Sequence, residues 1–342
     1  MLQWNDIRGQ RRAQDVLERA LESKRMHHAY LFVGPKGVGK FHAALALTAA
    51  LNCKERPEGR FQSACGECPS CRKVDSRQHP DLHILEPDGQ FIKIDQVRAI
   101  QKAATSRPYE GKFQVVIVDG IHQMGDEAAN AMLKILEEPP EAMHFFLITD
   151  QPNRLLDTIR SRCQLLRFGS LPDDDVAALV AEHAKQMDPS PPSKYLSVAA
   201  RFAEGSPGRA VSILESGILE RRAQAVHQML IIDPVYARTL LDQAEMLYKD
   251  KPYFFEYIDV LKVFLRDVML FKTLGHLERC VNLDLPEEID ALAAALTMDE
   301  VLQRIDSLNR CQRLLERPIN PQLIAEELLL QLAPRVLDVR AT

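Results

Sequence analysis

Two groups of residues in this chain have the types and spacing to do chemistry. The first is Gly34-Pro35-Lys36-Gly37-Val38-Gly39-Lys40-Phe41, which fits the pattern G-x-x-x-x-G-K. Gly34, Gly37 and Gly39 let backbone N–H groups turn inward around phosphate oxygens. A helix starting at the loop adds its positive end, and Lys40 adds a point charge. The next position normally carries a Ser or Thr hydroxyl that holds Mg²⁺. Here it is Phe41, which has no oxygen. Asp119 ends the run Val115-Val116-Ile117-Val118 and is placed as a metal-side carboxylate; alone, it would read as an ordinary strand-end cap. The carboxylate that orients attacking water usually follows it, but the residue there is Gly120. Phosphoryl transfer depends on metal and positioning. The expectation is therefore a site that binds ATP or ADP, if anything, without hydrolysing it.

The second group is Cys53, Cys65, Cys68 and Cys71, spaced C-x11-C-x2-C-x2-C. Four thiolates in so short a span match a tetrahedral structural zinc site. The C-x2-C-x2-C stretch also resembles part of an iron–sulfur pattern, but nothing else suggests electron transfer, so zinc is preferred. Cys163, Cys280 and Cys311 read as small buried hydrophobes. The opening MLQWNDIRGQRR has no apolar signal core, and no run of about 18 apolar residues exists. The thiols are thus expected to be metal ligands or free rather than disulfides, the compartment cytoplasmic, and a membrane span absent.

The elements that must hold these residues follow from pattern. Ala29-Tyr30-Leu31-Phe32-Val33 is a short apolar run that ends in the glycine-rich loop and flows into a helix over 42–51. That is strand, loop, helix, the context a phosphate loop requires. Further buried strands are expected at 115–118 and at Phe145-Phe146-Leu147-Ile148, with a helix over 126–138 between them, Asp126 as its N-cap and Pro139-Pro140 as its stop. An amphipathic helix is expected over 11–25. Short strands alternating with helices predict an α/β core, a parallel sheet with helices on both faces. After Phe168 the strand signal fades. Helices are expected over 173–186 and before Gly205, and from about 210 onward the chain reads as helical and leucine-rich. With 342 residues the chain has room for two or three domains. Its net charge of −5 excludes a basic nucleic-acid coat, so DNA contact must come from a local patch or from partners. Arg98 and Lys102 lie at i and i+4 on a helix starting near Asp95, a spacing that could track a phosphate backbone or simply form a solvated face.

Taken jointly, several motifs resemble one family. His28-Ala29-Tyr30-Leu31-Phe32, the GPKGVGK loop and the four cysteines, followed by AANAMLKILEEPP (128–140) and Ser161-Arg162-Cys163, resemble the clamp-loader branch of the AAA+ ATPases. Thr149 falls where that family has its sensor-1 residue, and Gly205-Ser206-Pro207-Gly208-Arg209 resembles its sensor-2 segment. Asn320-Pro321 and the leucine-rich helix after it resemble its C-terminal collar. The resemblance implies a nucleotide-binding-type domain over 1–168 with a zinc module at 53–71, a helical lid over 169–209 and a helical oligomerisation collar over 210–342. Gly34, Gly37, Gly39, Lys40, Asp119, Thr149 and Arg209 would line the chain's own degenerate nucleotide pocket.

The resemblance also implies partners. These are the tau/gamma and delta subunits of the bacterial DNA polymerase III clamp loader in a hetero-pentameric ring, and, through that complex, the sliding clamp and primer–template DNA. Arg162 would act across the subunit interface as an arginine finger on the γ-phosphate held by a neighbour; without the family it would read as a surface arginine. An active tau/gamma-type ATPase subunit is the alternative, but it would be expected to carry Ser or Thr at 41 and Glu at 120. Phe41 and Gly120 favour a largely non-hydrolysing scaffold, with no ATPase activity in the isolated chain.

Overall fold

The computed structural model describes residues 4–55, 64–232, 237–315, 317 and 319–333. Its contacts divide the chain into two units, Met1–Leu179 with Glu204–Arg209, and Val180–Ala203 with Ala210–Thr342.

In the first unit, helix α1 (Arg11–Glu22) leads to β1 (Ala29–Val33), the phosphate loop and α2 (Lys40–Asn52). Then come α3 (Pro69–Asp75), β2 (Leu82–Leu85), α4 (Ile94–Ala103) and β3 (Gln114–Asp119). Next are α5 (Asp126–Glu137), β4 (Met143–Thr149), α6 (Asp157–Arg160), β5 (Gln164–Arg167) and the start of α7 (Asp173–Ala184), which from Val180 on belongs to the second unit. The strands form one parallel sheet in the order β2-β3-β4-β1-β5. The central strands are buried along almost their whole length, which is why apolar residues dominate them, with Gln114, Asp119, His144 and Thr149 as the polar positions. The expected α/β core is therefore present, and two edge strands, β2 and β5, join the three anticipated ones.

Helix α5 corrects one detail. Its N-cap is Gly125, and Asp126 is the first helical residue, where its charge meets the positive helix end without capping a backbone N–H by its side chain. Helix α1 also stops at Glu22, before 25; Lys24 then takes a left-handed conformation with φ 55°.

The register brings three strand ends together. Val33 pairs with Thr149, and Asp119 with Ile148. The Gly34 N–H donates to the Thr149 carbonyl at 3.2 Å, and the Gly120 N–H to the Ile148 carbonyl at 3.1 Å. The phosphate loop, Asp119 and Thr149 thus share the carboxyl edge of the sheet, the side on which open α/β sheets bind ligands.

The second unit holds α8 (Ser193–Phe202) and most of α9 (Pro207–Glu215), then α10 (Ile218–Leu230), α11 (Ala237–Lys249) and α12 (Lys251–Leu274). It closes with α13 (Pro286–Ala295), α14 (Met298–Leu315) and α15 (Pro321–Leu332). Phe254, Ile258, Leu261, Phe264, Leu265 and Val268 on α12 are fully buried and form the centre of its core. Asp250 caps the start of α12 by accepting from the Tyr253 N–H at 3.0 Å, and Gly275 ends it at φ 74°. Asn320 caps α15 from the Gln322 N–H at 3.0 Å, with Pro321 in the first turn, where no amide hydrogen is needed.

Candidate functional site

The loop is built as its glycines require. A Cβ on Gly34 would lie 2.1 Å from the Phe168 carbonyl oxygen. Gly37 has φ 78°, and a Cβ there would lie 2.4 Å from Ser206 Oγ. The turn carrying Arg209 is in fact laced to the loop. Ser206 Oγ donates to the Lys36 carbonyl at 2.8 Å, and the Gly208 N–H to the Gly37 carbonyl at 3.0 Å. Arg209 N–H donates back to Ser206 Oγ at 3.2 Å, and its guanidinium stands 3.5 Å from Glu204. Ser206 was not legible as a loop partner from sequence.

Lys40 is not a solvated loop lysine. It is 6 % exposed and donates to the Gly34 and Pro35 carbonyls at 2.6 and 2.5 Å. Burial lowers its pKa, and the carboxylates of Asp150 and Asp119 oppose that shift. Asp119 itself is pushed upward, by burial first and by Glu86, against the pull of Lys40 and Lys36.

Thr149 is buried, and its hydroxyl has two hydrogen-bond partners. It accepts from the Gln151 N–H at 3.0 Å and lies 3.0 Å from His122 Nδ1. On the other side of the ring, His122 Nε2 lies 3.5 Å from Asp150. His122 and Asp150 carry no motif and were missed.

Phe41 leaves the metal position apolar. The Arg77 guanidinium carbon stands 4.7 Å from its ring centroid, a cation–π distance, and Arg77 Nη1 lies 3.8 Å from Glu86. Gly120 has φ 83°, so any side chain there is strained before it can reach a water.

Arg162 bonds to residues of α5 and α6. Its Nη2 is 2.7 Å from Glu137 Oε1, and its Nη1 donates to the Thr158 carbonyl at 2.9 Å. Arg98 and Lys102 are exposed on α4, and Arg98 pairs with Asp95 at 3.1 Å.

The four cysteines do meet. Their sulfurs all lie within 4.8 Å of one another, and those of Cys65 and Cys71 are 3.9 Å apart. A tetrahedron with metal–sulfur bonds of about 2.3 Å has edges of about 3.8 Å, so the donor set fits a metal ion held by all four thiolates. The Cys65 N–H donates to the Cys53 sulfur at 3.4 Å, and the Cys68 N–H to the Cys65 sulfur at 3.3 Å. Burial alone raises the Cys68 thiol, but the amides of Cys71 and Lys54 and the neighbouring sulfurs outweigh it and bring it down to about 6. Burial pushes Cys53 and Cys71 up. Cys280 and Cys311 are buried as expected, and Cys163 is partly buried against the sheet core.

A polar lattice ties this module to the sheet. Asn52, at the end of α2, accepts from the Lys112 and Phe113 amides at 2.8 and 3.0 Å and donates to the Phe113 carbonyl at 3.0 Å. Ser70 bonds the Asn52 carbonyl and His79, and His79 accepts from the Asp81 amide. Asp81 in turn accepts from the amides of Tyr109, Glu110 and Gly111 at 2.6, 2.8 and 2.6 Å.

Comparison with known proteins places this architecture. A family model described as "DNA polymerase III, delta subunit" matches residues 9–172, and one described as "DNA polymerase III, delta subunit, C terminal" matches 218–333. DNA polymerase III subunit delta′ of Bacillus subtilis is 32% identical over 97% of this chain and 98% of its own length. The chain belongs to the delta-prime family of DNA polymerase III clamp-loader subunits. DNA polymerase III subunit tau of Escherichia coli is 32% identical over 66% of this chain but only 35% of its own length, so the delta-prime family is matched end to end and tau in part. A gamma-subunit-related protein of DNA polymerase III from Thermotoga maritima has a TM-score of 0.45 and 18% identity, covering 93% of this chain and 97% of that one. No helix among the described residues is long and apolar enough to cross a membrane.

Proposed function

We propose that this delta-prime family member is a largely non-hydrolysing subunit of a bacterial clamp loader, and that it helps place the sliding clamp on primer–template DNA. The observation that carries this reading is the state of its phosphate loop. The glycine cradle and a buried Lys40 are kept, while Phe41 under Arg77 and the left-handed Gly120 replace the two groups hydrolysis needs. Gly34, Gly37, Gly39, Lys40, Asp119, Thr149 and Arg209 would then border a pocket for ATP or ADP that is not turned over.

In this reading the catalytic contribution is Arg162, supplied in trans to the γ-phosphate of a tau/gamma neighbour in a ring that also contains delta. A guanidinium suits that role because it stays charged and matches phosphate oxygens two at a time. Cys53, Cys65, Cys68 and Cys71 would hold zinc, which supplies a rigid tetrahedral cross-link and no reaction chemistry. Residues 169–209 and 210–342 are assigned to lid and collar, and the thiol ligands suit a cytoplasmic protein.

The test is reconstitution. The purified chain should release no phosphate from Mg-ATP. In the full complex with clamp and primed DNA, Arg162→Ala should abolish most of the turnover at the neighbouring site that receives it, a loss on the order of 10³-fold there. Robust Mg²⁺-dependent turnover by the chain alone would sink the scaffold reading.

A further inference from the structure

The Arg162 guanidinium is held rather than loose. Two of its nitrogens are engaged, Nη2 with Glu137 at 2.7 Å and Nη1 with the Thr158 carbonyl at 2.9 Å, and Nη1 also comes within 3.4 Å of Ser161 Oγ. Thr158 lies in α6 and Glu137 is the last residue of α5, so two separate helices fix one side chain.

The location of Glu137 is informative. A helix C-terminus is already negative because its last carbonyls lack partners. A carboxylate there is unfavourable unless a cation answers it, and Glu138 follows immediately. Lys134 is the basic residue of the last turn, but the cation at hydrogen-bonding distance from Glu137 is Arg162. Both side chains are well exposed, 34 % for Arg162 and 49 % for Glu137. Such a pair adds little to folding stability. Its effect is on direction, since a guanidinium is a rigid planar fork of five N–H donors. Fixing one edge of it fixes where the remaining donors can go.

We propose that Glu137 is the positioning residue of Arg162. It holds the guanidinium plane from the α5 end so that the free N–H groups meet a phosphate presented by the neighbouring subunit without first losing side-chain entropy. The inference rests on the in-trans role given to Arg162 above, and it assigns Glu137 no contact with nucleotide.

The experiment compares wild type, Glu137→Ala, Glu137→Gln, Glu137→Asp, Arg162→Ala and the Glu137→Ala/Arg162→Ala pair in the reconstituted clamp loader with clamp, primed DNA and ATP. Glu137→Ala and Glu137→Gln should lower DNA-stimulated kcat about three-fold with KM within about two-fold, the signature of a misplaced group rather than lost binding. Glu137→Asp should recover part of the loss, and the double variant should be no worse than Arg162→Ala alone. Melting of the isolated chain and assembly of the ring, read by size-exclusion chromatography, should be unchanged. Wild-type kcat in Glu137→Ala beside an impaired Arg162→Ala overturns the positioning role. So does a faster Glu137→Ala, which would mean the arginine is parked by the pair, or a loss that adds to that of Arg162→Ala. An unimpaired Arg162→Ala instead overturns the role of Arg162 itself.

Discussion

The Arg77 guanidinium carbon stands 4.7 Å from the centroid of the Phe41 ring, at the position where a magnesium-binding hydroxyl would be expected. The substitution of a ring for a hydroxyl thus does more than delete a ligand. It sets the Arg77 guanidinium against an aromatic face, with Nη1 3.8 Å from Glu86. Restoring the hydroxyl would remove that ring but leave position 120 without the carboxylate that orients the attacking water. Phe41→Thr is therefore expected to show background phosphate release from Mg-ATP in a steady-state assay. A measurable gain of hydrolysis in this single variant would show that the hydroxyl was the one missing group.

The second missing group is guarded by backbone geometry. Gly120 has φ 83°, and a left-handed L-residue costs about 1–2 kcal/mol. Gly120→Glu, alone or with Phe41→Thr, should therefore lower stability by roughly that amount and still fail to hydrolyse ATP. Urea unfolding and phosphate release read the two halves separately.

The cysteine centre should behave as a folding cross-link. Cys68→Ser and Cys71→Ser remove thiolates from a cluster whose sulfurs lie within 4.8 Å. Each should release metal and lower the melting temperature, while a chelator does the same to the wild type and nothing further to the variants. Metal content by elemental analysis should fall from about one zinc per chain. Iron in the purified protein would reassign the centre.

Asp81 gives the module a pH dependence. It is 2 % exposed; burial raises its pKa, but the amides of Gly111, Tyr109 and Glu110 outweigh that and hold the carboxyl below its ordinary value. A folded pKa below the unfolded one means that its stabilisation is present above the unfolded value and is lost as pH falls through the folded one. The wild type should thus lose stability on acidification below the usual carboxylate range. Asp81→Asn should be less stable at neutral pH, by about 2 kcal/mol for the charge-assisted bonds lost, and its acid dependence should be shallower. Parallel acid profiles for the two would refute this.

In the helical unit, Asp267 is fully buried and accepts from the Val281 and Asn282 amides and the Asn282 side chain at 2.8, 2.7 and 2.6 Å. Arg222, also fully buried, bonds Asn282 and Asp284 across the same segment. Removing the Asp267 carboxylate leaves buried N–H donors without their acceptor, so Asp267→Ala should cost about 3 kcal/mol in denaturant unfolding. A loss below about 1 kcal/mol would mean that water replaces the carboxylate.

The sequence by itself determined the glycine loop, the missing hydroxyl at 41, the four-cysteine spacing and the three central strands. Those strands are legible because burial on both faces forces them to be written in apolar residues. Helix bounds came within a few residues, as for α1, where only the terminal turn differed. The edge strands were not legible. Leu82-His83-Ile84-Leu85 and Gln164-Leu165-Leu166-Arg167 face solvent in part, so polar residues break the pattern. Tertiary structure alone decided the partners. Ser206 reaches the Lys36 carbonyl across 170 residues, His122 meets Thr149 across 27, Arg77 finds Phe41, and Glu137 finds Arg162. No local propensity encodes such pairs. They exist because the parallel sheet draws distant loops to one edge and helix ends to fixed places, where the chemistry of each side chain is set by what the fold puts beside it.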